Sequence, residues 1–113
     1  VIRCSGHLLA AAIIFITAAL PSPGEPLRHP LDALTAKEYW TVFETMKASG
    51  KIDGASRYAG INLHEPPKAE VLRWHPGEPF RREALAIVKQ GRHTFEAVVD
   101  ISNRKLTLWK EIK

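Results

Sequence analysis

The sequence predicts an α+β domain, with one amphipathic helix laid across an antiparallel sheet of four to five strands. Three observations carry that prediction. The stretch Leu34-Thr35-Ala36-Lys37-Glu38-Tyr39-Trp40 contains a fully specified helix start. After Gly50 no comparable helical pattern follows, only short runs in which apolar and polar residues alternate. The links between those runs are of hairpin length, too short for the crossovers that parallel strands need.

The helix is predicted over residues 36–49. Thr35 and Glu38 have capping-box spacing: the hydroxyl accepts from the backbone N–H three residues on, and the carboxylate reaches back. Leu34 and Tyr39 occupy the positions of a hydrophobic staple across that cap. Tyr39, Val42, Phe43 and Met46 recur at three- and four-residue intervals, with Trp40 beside them, so one face is apolar. Lys37, Glu38, Glu44 and Lys47 are assigned to the opposite face. Gly50 is placed to end the helix, and Lys47 and Lys51 suit the negative end of its dipole.

Five strands are read from the rest. The first is Arg57 to Leu63, with Ala59, Ile61 and Leu63 on one face. Pro66-Pro67 closes it, and Lys68 to Trp74 is the second. His75-Pro76-Gly77-Glu78-Pro79 is a turn. Arg82 to Lys89 is the third, with Leu85 and Ile87 opposed to Ala84, Ala86 and Val88. Here the helical propensity of Glu83-Ala84-Leu85-Ala86 competes with the strand. Gln90-Gly91-Arg92 turns into Thr94 to Ile101. Ser102-Asn103-Arg104 turns again into Lys105 to Lys110.

The first 30 residues read differently. Arg3 precedes an apolar block from Leu8 to Leu20, and Pro21-Ser22-Pro23-Gly24 follows. These are the basic, apolar and helix-breaking parts of a secretory signal, and the block is shorter than the roughly 20 residues of a spanning helix. The expected organisation is an export segment over 1–24, a Pro-rich linker over 25–30 and a single domain over 31–113. The expected location is outside the cytoplasm: periplasmic, secreted or otherwise extracellular. Membrane contact is expected only through the N-terminal segment, if it stays uncleaved. Val1 stands where an initiator Met would, which fits an incomplete N-terminus or an alternative start codon.

The 113 residues carry a formal net charge of +4 and a pI near 9.5. The basic residues are scattered and not grouped as a phosphate-tracking surface requires, so no nucleic-acid partner is expected. The single cysteine, Cys4, precedes the apolar block. It can form no intramolecular disulfide, lies on the wrong side of the block for a lipid anchor, and excludes paired-thiolate metal sites.

No catalytic, cofactor-binding or metal-ligating constellation is found. His64-Glu65 opens like a zinc-protease motif, but Pro66 and Pro67 forbid the helix that would present a second histidine. Of the five histidines, none pairs at helix or strand ligand spacing. Glu38 is read as a cap and not as a proton donor, and Asp100 as a turn-shaping residue. There is no nucleophile elbow and no glycine-rich phosphate loop. Trp40, Trp74 and Trp109 are assigned to packing and not to ligand stacking. Tyr39 is placed on the helix face against the core and Tyr58 at a strand start.

From His29 on, the chain resembles the first small N-terminal (N2-type) domain of copper-containing primary amine oxidases. The resemblance lies in His29-Pro30-Leu31-Asp32-Ala33-Leu34-Thr35, where the family more usually has proline at the position of Ala33. It continues in Ile61-Asn62-Leu63-His64-Glu65-Pro66-Pro67-Lys68, Arg82-Glu83-Ala84, Glu96-Ala97-Val98-Val99-Asp100-Ile101 and Leu106-Thr107-Leu108-Trp109. It implies a cystatin-like fold, a helix on an antiparallel sheet. It also implies that catalysis belongs to a large C-terminal domain with copper, topaquinone, three histidine ligands and an aspartate base, none of which maps onto residues of this chain. No cofactor is expected in the chain itself. The expected partner is the parent's catalytic domain, in a full-length protein that can be a homodimer. The implied parent reaction is oxidative deamination of a primary amine to an aldehyde, with ammonia and hydrogen peroxide released. Two other classes fit the residues: a secreted cystatin-like or PepSY-like inhibitor or pro-domain, and an extracytoplasmic ligand-binding module. The Gln-x-Val-x-Gly hairpin of cystatin inhibitors is absent, Gln90-Gly91 being the nearest approach.

Overall fold

The structure, a computed structural model, describes residues 29–113. The export segment, Cys4, His7 and residues 25–28 of the linker lie outside the described residues. In chain order the elements are α1 (Ala36–Ala48), β1 (Ser56–Leu63), α2 (Lys68–Arg73), β2 (Glu83–Gln90), β3 (His93–Asp100) and β4 (Lys105–Ile112). The four strands form one antiparallel sheet in the order β1-β2-β3-β4. The α+β architecture and the boundaries of α1 follow the sequence closely.

The helix starts as its residues dictate. The Glu38 N–H donates to Thr35 Oγ1 at 3.2 Å, and the Thr35 N–H donates to Glu38 Oε1 at 3.0 Å, closing both halves of the capping box. Leu34 is buried, and Tyr39 packs against the same core. At the other end Gly50 takes a φ of 75°, a left-handed turn that glycine makes without a Cβ penalty.

One sheet face receives α1, which comes nearest to β3 and β4. Val42 and Met46 are fully buried against Ala84, Ala86, Val88, Ala97 and Val99. The alanines leave room for the helix to approach the sheet closely. Tyr58, Ile61, Leu63, Leu106 and Trp109 close the margins.

Several expectations are corrected. Lys68–Arg73 is a helix and not a strand, so the sheet has four strands. A helix can begin directly after Pro66-Pro67 because proline lacks only an N–H that the first turn leaves unused. The Glu70 and Val71 N–H groups donate to Pro67 O at 2.9 and 3.3 Å. In β1, Tyr58 pairs with Val88 and Gly60 with Ile87, leaving Ala59 as an unpaired bulge residue. The bulge reverses the face for residues before it, so Tyr58 joins Ile61 and Leu63 on the helix side and Ala59 is exposed. On α1, Glu38 is buried and Trp40 is 66% exposed, the reverse of their assignment by periodicity. Phe43 is half-buried, meeting Trp40 and Tyr58 edge-on at ring distances of 5.9 and 5.2 Å.

Candidate functional site

The described residues hold one buried charged centre, and it joins three parts of the chain. Arg82, just ahead of β2, is 4% exposed, and Glu38 in the first turn of α1 is 7% exposed. Arg82 Nε donates to Glu38 Oε2 at 2.9 Å and Nη2 to Oε1 at 3.0 Å, a two-pronged pairing. The remaining donors reach the lead-in to the helix: Nη1 to Pro30 O at 2.9 Å and Nη2 to Ala33 O at 3.2 Å. One guanidinium thus ties residues 30–33 and the helix N-terminus to the sheet. Burial alone would raise the Glu38 carboxyl pKa. Hydrogen bonds from Arg82 and the Thr35 backbone, together with the Arg82 charge, outweigh that and hold it below the ordinary value of 4.5.

The capping role of Glu38 is legible in the sequence, whereas its pairing with Arg82 is not. The available signal was the Arg82-Glu83-Ala84 segment, notable only through the family resemblance. Nothing in spacing connects positions 38 and 82.

The other singled-out residues stay apart. His29 Nδ1 accepts from the Leu31 N–H at 3.0 Å, and its ring meets Trp74 edge-on at 5.0 Å. His64 and His75 are exposed beside β1 and in the turn after α2. His93 Nδ1 lies 2.6 Å from Glu111 Oε1 at the sheet margin. Among the described residues, no three His, Cys, Asp or Glu side chains group as a metal would require. The described donors therefore do not fit a copper site. Tyr39 Oη donates to Ile61 O at 3.5 Å, and burial raises the Tyr58 pKa. Asp100 shapes its turn as expected: Oδ2 accepts from Asn103 Nδ2 at 2.8 Å and Oδ1 from the Asn103 N–H at 3.1 Å. The side-chain bond from Asn103 is the main force holding its carboxyl below the usual range, against a smaller opposing effect of burial.

A cleft of about 400 Å³ lies between α2 and the following turn, floored by Val71, Trp74, Phe80 and Pro30. Trp74 Nε1 donates to Glu78 O at 2.9 Å, so the indole is a strut of that turn. Trp109 stacks on Phe95 with ring centres 4.5 Å apart.

Residues 29–112 match the family model "Copper amine oxidase, N2 domain". The chain belongs to the copper amine oxidase N2-domain family. Among its relatives, the "Primary amine oxidase" of Klebsiella aerogenes is 38% identical over 88 residues, covering 75% of this chain and 12% of that protein. The "Amine oxidase [copper-containing] alpha 3, peroxisomal" of Arabidopsis thaliana is 30% identical over 99 residues, covering 81% of this chain and 14% of that protein. The match thus spans about an eighth of these relatives. The matched N2 region begins at His29, one residue before the first backbone group that Arg82 holds, and ends at Ile112, the last residue of β4.

Proposed function

We propose that this chain is a non-catalytic N2-type domain of a copper- and topaquinone-dependent primary amine oxidase. The parent reaction would be oxidative deamination of a primary amine to an aldehyde, with ammonia and hydrogen peroxide released. The observation that carries this reading is the extent of the match. It takes in the whole described unit, yet accounts for only 12–14% of the two relatives' lengths. The described histidines, carboxylates and tyrosines are engaged in turns, caps and packing or lie dispersed, so the redox group is assigned to another part of the parent.

What these residues supply is a rigid unit with a fixed entry. Arg82 holds Pro30 and Ala33, so the chain enters the domain at a set position beside the helix N-terminus. The proposal includes an export segment over 1–24, a Pro-rich linker over 25–30, a location outside the cytoplasm and a cystatin-like fold.

The test is chemical. The protein from Glu25 onward is incubated aerobically with copper(II), quinone absorbance is followed, and peroxide release is assayed with simple primary amines. The expected result is neither absorbance nor peroxide. A pink, phenylhydrazine-reactive protein would overturn the assignment.

A further inference from the structure

We propose that the solvent face of α1 docks on an anionic lipid bilayer, with Trp40 as the inserted ring and the neighbouring lysines as the cations that meet the headgroups. The choice of a bilayer rests on the proposed export segment.

Lys37, Trp40, Glu44 and Lys47 follow one another at intervals of three and four residues and are all exposed. They therefore form one stripe on the side of α1 away from the sheet. Trp40 is 66% exposed, so most of a large apolar ring stands in water and adds little to the core. It is nonetheless held in place. Its ring meets Phe43 edge-on at 5.9 Å, and Phe43 meets Tyr58 at 5.2 Å, so the indole is a supported wedge.

The charge around that wedge is one-sided. Among the described residues, the Lys37 and Lys47 ammonium groups enter no ion pair. Glu44 is the acid of the stripe, and Arg104 meets its carboxylate at 3.3 Å. Arg104 comes from the turn before β4, 60 positions away. The fold thus assembles a cationic surround that no run in the sequence displays.

The occupant follows from shape and tether. Trp40 lies outside the cleft beside α2 and stands on a convex helix face. A raised indole between flexible cationic stems suits a fluid, negatively charged interface. Indole rings settle at headgroup depth, and lysines are drawn to anionic lipid while their stems stay beside apolar surface. Arg82 fixes Pro30 and Ala33 beside the first turn of α1. Residues 25–29 alone separate the export segment from that fixed entry, and they span at most about 17 Å. While residues 1–24 sit in a bilayer, Lys37 and Trp40, in the first two turns of the helix, are held close to its surface.

The test uses the full chain in a Cys4→Ser background with an NBD label. Lys47→Cys reports the stripe. Lys89→Cys removes the same charge and reports the sheet face away from α1, since its neighbour Val88 is buried toward the helix. The chain is mixed with vesicles of phosphatidylglycerol and phosphatidylcholine in equal parts, or of phosphatidylcholine alone. With the anionic vesicles the Lys47→Cys label should gain at least about twofold in emission, and about 0.5 M salt should reverse the gain. The Lys89→Cys label should not respond. Trp40→Ser and, independently, Lys37→Glu should abolish the gain while circular dichroism shows both variants folded. Vesicle binding with equal responses from both labels overturns the inference and leaves the export reading intact. A full chain that floats with neither vesicle faults the export reading, and the inference falls with it. A Lys47→Cys label that ignores vesicles overturns the inference, in favour of nucleic acid if single-stranded oligonucleotide raises its emission and of a second copy if protein concentration alone does.

Discussion

Arg81 and Arg82 are neighbours in sequence and differ in almost every physical respect. The Arg81 side chain is 56% exposed and meets an exposed Glu70 at 3.1 Å and a largely covered Glu83 at 3.6 Å. The Arg82 side chain is 5% exposed and places all its described bonds inside the fold, on Glu38, Pro30 and Ala33. Both are arginine–glutamate pairs of similar length. Exposed pairs of this kind contribute about 0.2–1 kcal/mol, because water screens them and holding long side chains costs entropy. A buried pair differs less in its net gain than in the penalty for leaving one member behind. Position relative to solvent, and not contact distance, therefore decides which arginine the domain depends on.

The largest effect should come from breaking the buried pair. Arg82→Ala leaves the Glu38 carboxylate buried without its counter-charge and is expected to lose about 3–5 kcal/mol in urea unfolding. The domain's whole stability is expected to be about 5–15 kcal/mol, so acquisition of fold by circular dichroism is measured first. Met46→Ala, which opens a void under α1, should cost about 2–5 kcal/mol. Comparing the two variants ranks clasp against core. Thr35→Ala removes one half of the capping box and should cost about 1 kcal/mol by thermal melt. Arg81→Ala should change stability by no more than about 1 kcal/mol, and that change should shrink in high salt.

Acid sharpens the same contrast. The folded-state pKa of Glu38 lies below its ordinary value, so the folded state binds its proton less readily than the unfolded chain does. Its stabilising contribution is fully present above the ordinary carboxylate value of 4.5 and is lost as pH falls through the lower folded-state value. Urea midpoints of wild type and Glu38→Gln should therefore converge as pH drops through that window. A separation unchanged between pH 6 and the acid limit of the fold would show that Glu38 does not carry this dependence.

Much of the fold was legible because local chemistry and tertiary structure agree. The Thr35–Glu38 spacing specifies the helix start, and Gln90-Gly91-Arg92 specifies a hairpin in which Gly91 takes a φ of 61°. The misreadings arise where local pattern is ambiguous. Lys68–Arg73 has only six residues, and Val71 between Glu70 and an exposed Leu72 shows no decisive period over that length. The reversal at Ala59 comes from a one-residue bulge that alternation cannot register. Hydrophobicity alone assigns Trp40 inward, although the helix turns it outward, with its ring edge-on to Phe43. The clasp was half visible: Glu38 shows its capping role locally, while its second role depends on a partner 44 positions away.

A double-mutant cycle tests the difference between the two arginines most directly. Arg82→Ala, Glu38→Ala and their combination are compared by urea unfolding with Arg81→Ala, Glu70→Ala and theirs. The cycle cancels the capping that Glu38→Ala also removes and isolates the pairwise coupling. The expected coupling is about 2–3 kcal/mol for Arg82–Glu38 and under about 0.5 kcal/mol for Arg81–Glu70. Equal couplings, or a larger one for the exposed pair, would contradict the claim that the buried clasp holds the helix and its lead-in to the sheet.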